Sequence, residues 1–291
     1  MVNETICLKQ YISKREYVEI KRLGMICCEH DEINLKIELN YKISMTKNAE
    51  MGLKEINEYL YYVENDLVAY LEISSFGGNN AEISGMTHPN FRRKGFFSKL
   101  FELAMEECRK RKFNKLHLLS DGESKSGVAF IKGKHGNYDF SEYRMILVNK
   151  IPIENINSIR LRKSEKEDSK EIARQNAMFF YGIEECENFS EEEKIINTIT
   201  YMVEFDRLII GKIKIEYGDS SAYICGFGIL PNFRGKGYGK AALKEVLRII
   251  NGKSITDVEL DVEFKNDTAL NLYKACGFEE KSVMNYYRHN L

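Results

Sequence analysis

Arg234-Gly235-Lys236-Gly237-Tyr238-Gly239 is a stretch of this sequence whose residue types and spacing suit it to hold a phosphate group. Its glycines fall where a run rich in β-branched, aromatic and small residues gives way to helical periodicity. At a helix start the first backbone N–H groups have no intrahelical acceptor, and the positive end of the helix dipole stands behind them. With no Cβ in the way, phosphate oxygens can reach those donors. Arg234, Lys236 and Lys240 add formal positive charge at the same place. A tight surface turn with solvated basic residues would carry the same letters, so the neighbourhood has to decide. Two other phosphate motifs fail. Gly239-Lys240 runs into Ala241 where a P-loop needs Ser or Thr, and the glycine spacing is not the G-x-G-x-x-G of a dinucleotide fold.

Other chemistry-bearing residues form no such pattern. Five histidines, at 30, 88, 117, 135 and 289, lack H-x-x-x-H or H-E-x-x-H spacing, so no metal site is expected. The seven cysteines are odd in number and contain no C-x-x-C, which suits a reducing compartment, and Cys225 and Cys276 read as small packing residues. The N-terminus has no signal-like basic and apolar regions, and no apolar run approaches the ~20 residues of a membrane span. A cytoplasmic protein with no membrane partner is expected. Lys plus Arg number 43 against 44 Asp plus Glu, so no global field recruits nucleic acid. With 291 residues, 43% hydrophobic and 30% charged, the chain is long enough for about two globular domains.

A repeat divides it. Pro89-Asn90-Phe91-Arg92-Arg93-Lys94-Gly95 recurs as Pro231-Asn232-Phe233-Arg234-Gly235-Lys236-Gly237, identical at six of seven positions. The third and last proline, Pro152, lies between the copies and marks a linker, giving domains 1–149 and 150–291. In the second half, 158–162 reads as a short strand and 165–180 as a polar helix. Strands follow over 200–205, 208–216 and 221–230, with Asp206-Arg207 as a hairpin turn. After Pro231, Tyr238, Ala242, Leu243, Val246, Leu247 and Ile250 share one helical face that Gly252 closes. A buried strand over 258–262, a short helix over 268–275 and a last strand complete the order. The first half repeats it, with strands over 58–64, 67–74, 80–87 and 116–119 and helices over 95–112 and 126–132. Such alternation predicts an α/β class for both halves.

The segment from Ile229 to Gly239 resembles motif A, Q/R-x-x-G-x-G/A, of the GNAT superfamily of acyl-CoA N-acyltransferases. The segment Leu260-x-Val262-x-x-x-Asn266-x-x-Ala269-x-x-Leu272-Tyr273-x-x-x-Gly277-Phe278 is similar to motif B of that family. The resemblance covers nearly the whole chain as two copies. It implies two tandem domains, each with a mixed, mostly antiparallel central sheet flanked by helices. It implies a pyrophosphate cradle for acetyl-CoA at Arg234, Gly235, Lys236, Gly237, Tyr238, Gly239 and Lys240. It also implies backbone contacts to the pantetheine arm from Phe227, Gly228 and Ile229, a place near the cofactor for Asn266, and protonation of the departing thiolate by Tyr273. Asn266 also suits an N-cap, and Tyr273 a core position.

The implied reaction is direct attack of a neutral amine, of a small molecule or peptide, on the thioester. Such an amine has a pKa near ~10.4, so a base or a depressed pKa is needed. The strand before motif A, Tyr223-Ile224-Cys225-Gly226-Phe227, holds no carboxylate, which leaves Glu216, Asp261 and Glu263 or a water. The first copy keeps Arg92, Lys94 and Gly95 but has Phe97 in place of the last motif glycine and Lys132 in place of the Tyr. It is expected to be degenerate, with the second copy catalytic. A non-catalytic acyl-CoA-binding or sensing module, and an enzyme for longer acyl chains, are the alternatives. The sequence sets neither the acceptor nor an oligomeric state.

Overall fold

The computed structural model describes residues 2–37, 39, 42–43, 54–75, 79–149, 159–181, 197–218, 220–253 and 255–291. Pro152 and Cys186 lie outside them. The chain forms two compact units, one of Met1–Glu142 with Ser282–Leu291 and the other of Tyr143–Lys281.

In chain order the elements begin β1 (Glu4–Lys9), α1 (Lys14–Asp31), β2 (Glu58–Val63), β3 (Asp66–Ser74), β4 (Asn80–Thr87), α2 (Phe96–Lys110), β5 (Lys115–Asp121), α3 (Lys125–Gly133) and β6 (Asn137–Leu147). They continue with β7 (Arg160–Lys163), α4 (Ser169–Asn176), β8 (Thr198–Phe205), β9 (Leu208–Tyr217), β10 (Ser221–Ile229), α5 (Tyr238–Asn251), β11 (Asp257–Glu263), α6 (Asp267–Lys274) and β12 (Phe278–His289).

In the first unit, β1 to β4 form an antiparallel run, β5 lies parallel to β4, and Met284–His289 of β12 pairs antiparallel with β5. Both faces of this sheet are covered. Leu71, Ile73 and Ile83 meet Leu100, Phe101, Ala104 and Cys108 of α2, while Leu60, Tyr70 and Met86 meet Ile20, Leu23 and Cys27 of α1. Burial on both sides explains why β3 is apolar almost without alternation. The sequence reading did not include β1 or α1. The start of α1 is a capping box in which Glu16 N–H donates to Ser13 Oγ at 3.3 Å and Ser13 N–H donates to Glu16 Oε2 at 2.7 Å. Such a cap contributes about 1 kcal/mol.

The second unit repeats the plan. β7 to β10 run antiparallel and β11 lies parallel to β10. Leu243, Val246 and Ile250 of α5 fall at helical spacing and pack on Ile213, Ile215, Ala222, Ile224, Val258 and Leu260. Tyr273 and Phe278 close this core. The polar helix expected over 165–180 is built as a 3-10 turn at Lys166–Asp168, then α4, then a turn of π-helix at Ala177–Tyr181. Arg162 anchors its start, with Nη1 and Nη2 donating to Asp168 at 2.8 and 3.0 Å.

In each unit the parallel ladder stops early. β4 and β5 pair only from Asn80–Lys115 to Ile83–Leu118, and β10 and β11 only from Ser221–Asp257 to Ile224–Leu260. Beyond these points the strands run on unpaired to each other, which opens a cleft at their carboxyl ends, where α/β sheets bind ligands. In β10 a bulge between Cys225 and Gly228 marks this point, while β4 pairs with β3 without a register shift.

Candidate functional site

In the second unit, β10 ends at Ile229 and a 3-10 turn, Pro231–Phe233, carries the chain to Arg234. Arg234 Nε donates to Ile229 O at 2.8 Å and ties the turn back to the strand. Gly235 and Gly237 both take positive φ, +74° and +84°, and a Cβ built on either meets nothing within 4 Å. Gly237 is the N-cap of α5 and has no side-chain cap, so the helix's first N–H groups are not closed off by its own cap residue. Positive φ explains the glycines, and the open space in front of them suits an oxyanion ligand. Lys236 and Lys240 are exposed beside the turn, and Lys236 Nζ donates to Asn232 O at 3.0 Å.

The remaining expected residues divide into those near this turn and those spent on packing. A Cβ added at Gly239 would lie 3.5–3.8 Å from Leu272, Ile229 and Phe227, in ordinary van der Waals contact. The Tyr238 ring packs 4.7 Å from Phe205 and 6.4 Å from Phe233, so its side chain belongs to the core and only its backbone faces the turn. Gly228 lies under Phe179, whose ring would be 2.3 Å from an added Cβ. Only glycine permits that approach. The guanidinium of Arg234 sits 5.9 Å from the same ring.

Asn266 is the N-cap of α6, its Oδ1 accepting from Ala269 N–H at 3.1 Å. Tyr273, two turns further on, is 8% exposed, edge-on to Phe278 at 6.2 Å, and burial pushes its phenol up to about 12. A phenol with that pKa stays protonated at neutral pH and can donate its proton to a thiolate.

Of the three carboxylates, Asp261 is engaged. Arg144 holds it through Nε and through Nη2 at 3.0 Å, and Tyr223 OH donates to it at 2.9 Å. Glu263 is exposed. Glu216 lies opposite Tyr223 in the β9–β10 register, 3.5 Å from Cys225 Sγ and 3.6 Å from Lys214 Nζ. Burial pushes the Cys225 thiol well above its ordinary range, so it is a poor nucleophile. Lys212 escaped the sequence reading, because a lysine in an alternating strand reads as solvent-facing. It is 1% exposed and donates to Gly226 O, inside the bulge, at 2.9 Å. Phe179, Arg144 and Tyr223 likewise gave no local signal.

The corresponding turn of the first unit keeps one open glycine at an uncapped helix start, Gly95 at φ +85°, and differs around it. Arg92 Nε repeats the strand tie, donating to Thr87 O at 3.1 Å, but its guanidinium also grips Asp31. Arg93 adopts φ +61° where the second unit has a glycine, and Lys132 is exposed. Among the described residues no group of three or more His, Cys, Asp or Glu is placed to hold a metal, and no helix is long and apolar enough to cross a membrane.

A parallel strand pair that splits, followed by a turn with a positive-φ glycine and a helix, is present in each unit. The chain belongs to the acetyltransferase (GNAT) family, whose model matches residues 34–133 and again 160–278. It is 36% identical over 69 residues to an uncharacterised N-acetyltransferase of Bacillus subtilis, a match covering 24% of this chain and 44% of that protein. It is 28% identical over 115 residues to an N-alpha-acetyltransferase of Sulfurisphaera tokodaii, covering 34% and 67%. In fold it is similar to a GCN5-related N-acetyltransferase from Sphaerobacter thermophilus, with TM-score 0.74, 18% identity and coverage of 98% and 95%. It is similar too to a tandem GNAT protein from the clavulanic acid biosynthesis pathway, with TM-score 0.69, 13% identity and coverage of 99% and 98%.

Proposed function

We propose that the protein is an acetyl-CoA-dependent N-acetyltransferase whose second repeat, residues 150–291, is catalytic and whose first, residues 1–149, is a degenerate copy. The observation that carries this reading is the Arg234–Gly239 turn. It combines two positive-φ glycines, open space in front of them and an uncapped helix start. The residues present fit the co-substrate. Gly235, Gly237 and the backbone of Tyr238 and Gly239 would receive its pyrophosphate, with Arg234, Lys236 and Lys240 supplying charge. Phe227, Gly228 and Ile229 would line the pantetheine arm, and Asn266 would order the α6 start beside it.

Bound acetyl-CoA supplies an activated acyl group. The chain's own groups manage protons. The amine of a small molecule or peptide forms the new C–N bond as the C–S bond breaks. Tyr273 gives its proton to the departing sulfur, and Glu216, directly or through water, takes the proton that the amine sheds. Glu216 is preferred to Asp261 because Arg144 and Tyr223 already hold the latter. The test is thiol release from acetyl-CoA over a panel of amines, polyamines, aminoglycosides and peptides, with Arg234→Ala and Arg92→Ala compared. Loss of turnover in Arg234→Ala alone supports the assignment. Loss in Arg92→Ala alone reverses it. A cytoplasmic location, where such a co-substrate would be met, is part of the same proposal.

A further inference from the structure

The first unit's cleft is a cavity of about 770 Å3, lined by the carboxyl ends of β4 and β5, by α2 and α3, and by Cys27 and Asp31 of α1. That volume lies within the roughly 300–1,000 Å3 range of small-molecule sites. Its walls are aromatic, with Phe91, Phe96, Phe97, Phe101 and Phe130 all contributing. Phe130 is edge-on to both Phe97, at 4.9 Å between centroids, and Phe101, at 5.5 Å. Phe97 stands where the second unit has Gly239, and its ring fills the space beside Gly85 to within 2.7 Å of an added Cβ. The cleft has kept its room and exchanged an open glycine for a ring.

Part of its polar lining is engaged within the protein. Arg92 is held by both oxygens of Asp31, and Lys36 Nζ lies 2.9 Å from Glu142 and 2.5 Å from Tyr286 OH. Ser120 Oγ donates to Asp121 O, and Ser124 Oγ accepts from Gly127 N–H. The other two cations of the lining, Arg93 and Lys125, are exposed to water. A phosphorylated ligand would find Arg92, the counterpart of Arg234, already paired with Asp31, and would have only the exposed Arg93 and Lys125 for new ion pairs. A neutral aromatic molecule breaks no polar contact and gains apolar burial and edge-to-face ring contacts.

We propose that the first unit's cleft is a binding site for a neutral aromatic small molecule, walled by Phe97, Phe101 and Phe130, and takes no nucleotide. The inference is independent of the activity assigned to the second unit. The probe is N-phenyl-1-naphthylamine, whose fluorescence rises in apolar surroundings, titrated into the full chain. Saturable binding at one site with a micromolar Kd is expected. Ala129→Trp and Ser126→Trp each place a ring at the cleft from an exposed helix position, and a tenfold or greater loss of affinity in either supports the site. Coenzyme A should leave the probe in place. The proposal is overturned by absence of saturable binding, by unchanged affinity in both folded variants, or by displacement of the probe by coenzyme A from a Gly237→Asp protein, whose second-unit turn is blocked.

Discussion

Asp31 clasps Arg92 with both carboxylate oxygens, Oδ1 2.9 Å from Nη1 and Oδ2 2.7 Å from Nη2. Arg234, at the matching place in the second unit, makes the same bond to its strand carbonyl and, among the described residues, has no carboxylate partner. The hydrogen bond with Arg92, ahead of the neighbouring His30, holds the Asp31 carboxyl below its ordinary pKa. One arginine is paired within the fold and the other, among the described residues, has no carboxylate beside it.

If that clasp and Phe97 are what close the first unit to nucleotides, removing both should open it. Asp31→Asn combined with Phe97→Gly, in a Gly237→Asp background, is expected to gain at least tenfold in coenzyme A affinity over the background alone. This is the scale of one charge-assisted hydrogen bond, roughly 1.5–3 kcal/mol. Isothermal calorimetry reads it, and no gain would place the block elsewhere, at Arg93 for instance.

Gly237→Asp puts a Cβ and a negative charge in front of the α5 N-terminus. Because the added Cβ meets nothing within 4 Å, the cost to the fold is confined to φ +84°, roughly 1–2 kcal/mol for a residue with a side chain. The expected outcome is a folded protein with acetyl-CoA affinity reduced at least a hundredfold. Gly237→Asn, which tolerates left-handed backbone and carries no charge, should lose far less. Equal affinities for the two variants would remove charge from the explanation.

Tyr273→Phe should lower turnover by roughly 10²-fold while leaving acetyl-CoA affinity within a factor of two, the signature of a lost general acid. Stability should hardly change, because no hydrogen bond to the hydroxyl is present among the described residues. The phenol must be protonated to act, and burial has moved its pKa up to about 12, so its ionisation should not limit the rate on the basic side up to pH ~10. A wild-type rate that falls with a midpoint near pH 9 and becomes flat in Tyr273→Phe would contradict the raised pKa.

The first unit should also be acid-sensitive through Asp139. Its carboxyl is held well below the ordinary range, chiefly by His117 at 2.8 Å and then by Lys115 at 3.2 Å and Arg288 at 2.7 Å. A depressed folded pKa contributes stability above the unfolded value of ~3.9, and this is lost as the pH falls through the folded value. Asp139→Asn should therefore lower the first unit's melting temperature at pH 7 by about 2–4 °C and flatten its decline below pH ~4. Differential scanning calorimetry at pH 3 and pH 7 separates these outcomes.

The fold was legible wherever periodicity and punctuation acted locally. The helix expected over 95–112 is Phe96–Lys110, the strand over 80–87 is Asn80–Thr87, and the face that Gly252 was expected to close is α5. Helix α1 was missed although Ser13 and Glu16 spell its cap and Ile20, Leu23 and Cys27 its buried stripe, because its other positions are mostly polar. The site was legible at its turn and not at its walls. Arg144 finds Asp261 across 117 residues, and Phe179 finds Gly228 across a segment with no shared pattern. The β10 bulge has its mark in Gly226, at φ +54°, but spacing alone named neither Lys212 beneath it nor the crowding at Gly228.

Met284–His289 pairs with β5, so residues made after the second unit are structural members of the first. Nascent domains generally fold as they emerge, but here β5 must wait, its hydrogen-bonding edge bare, while the whole second repeat is translated. Completion of the first unit thus waits on synthesis of the second. Removing residues 282–291 would cut into β12 and take from β5 its pairing partner, so damage done after the second repeat would fall on the first unit.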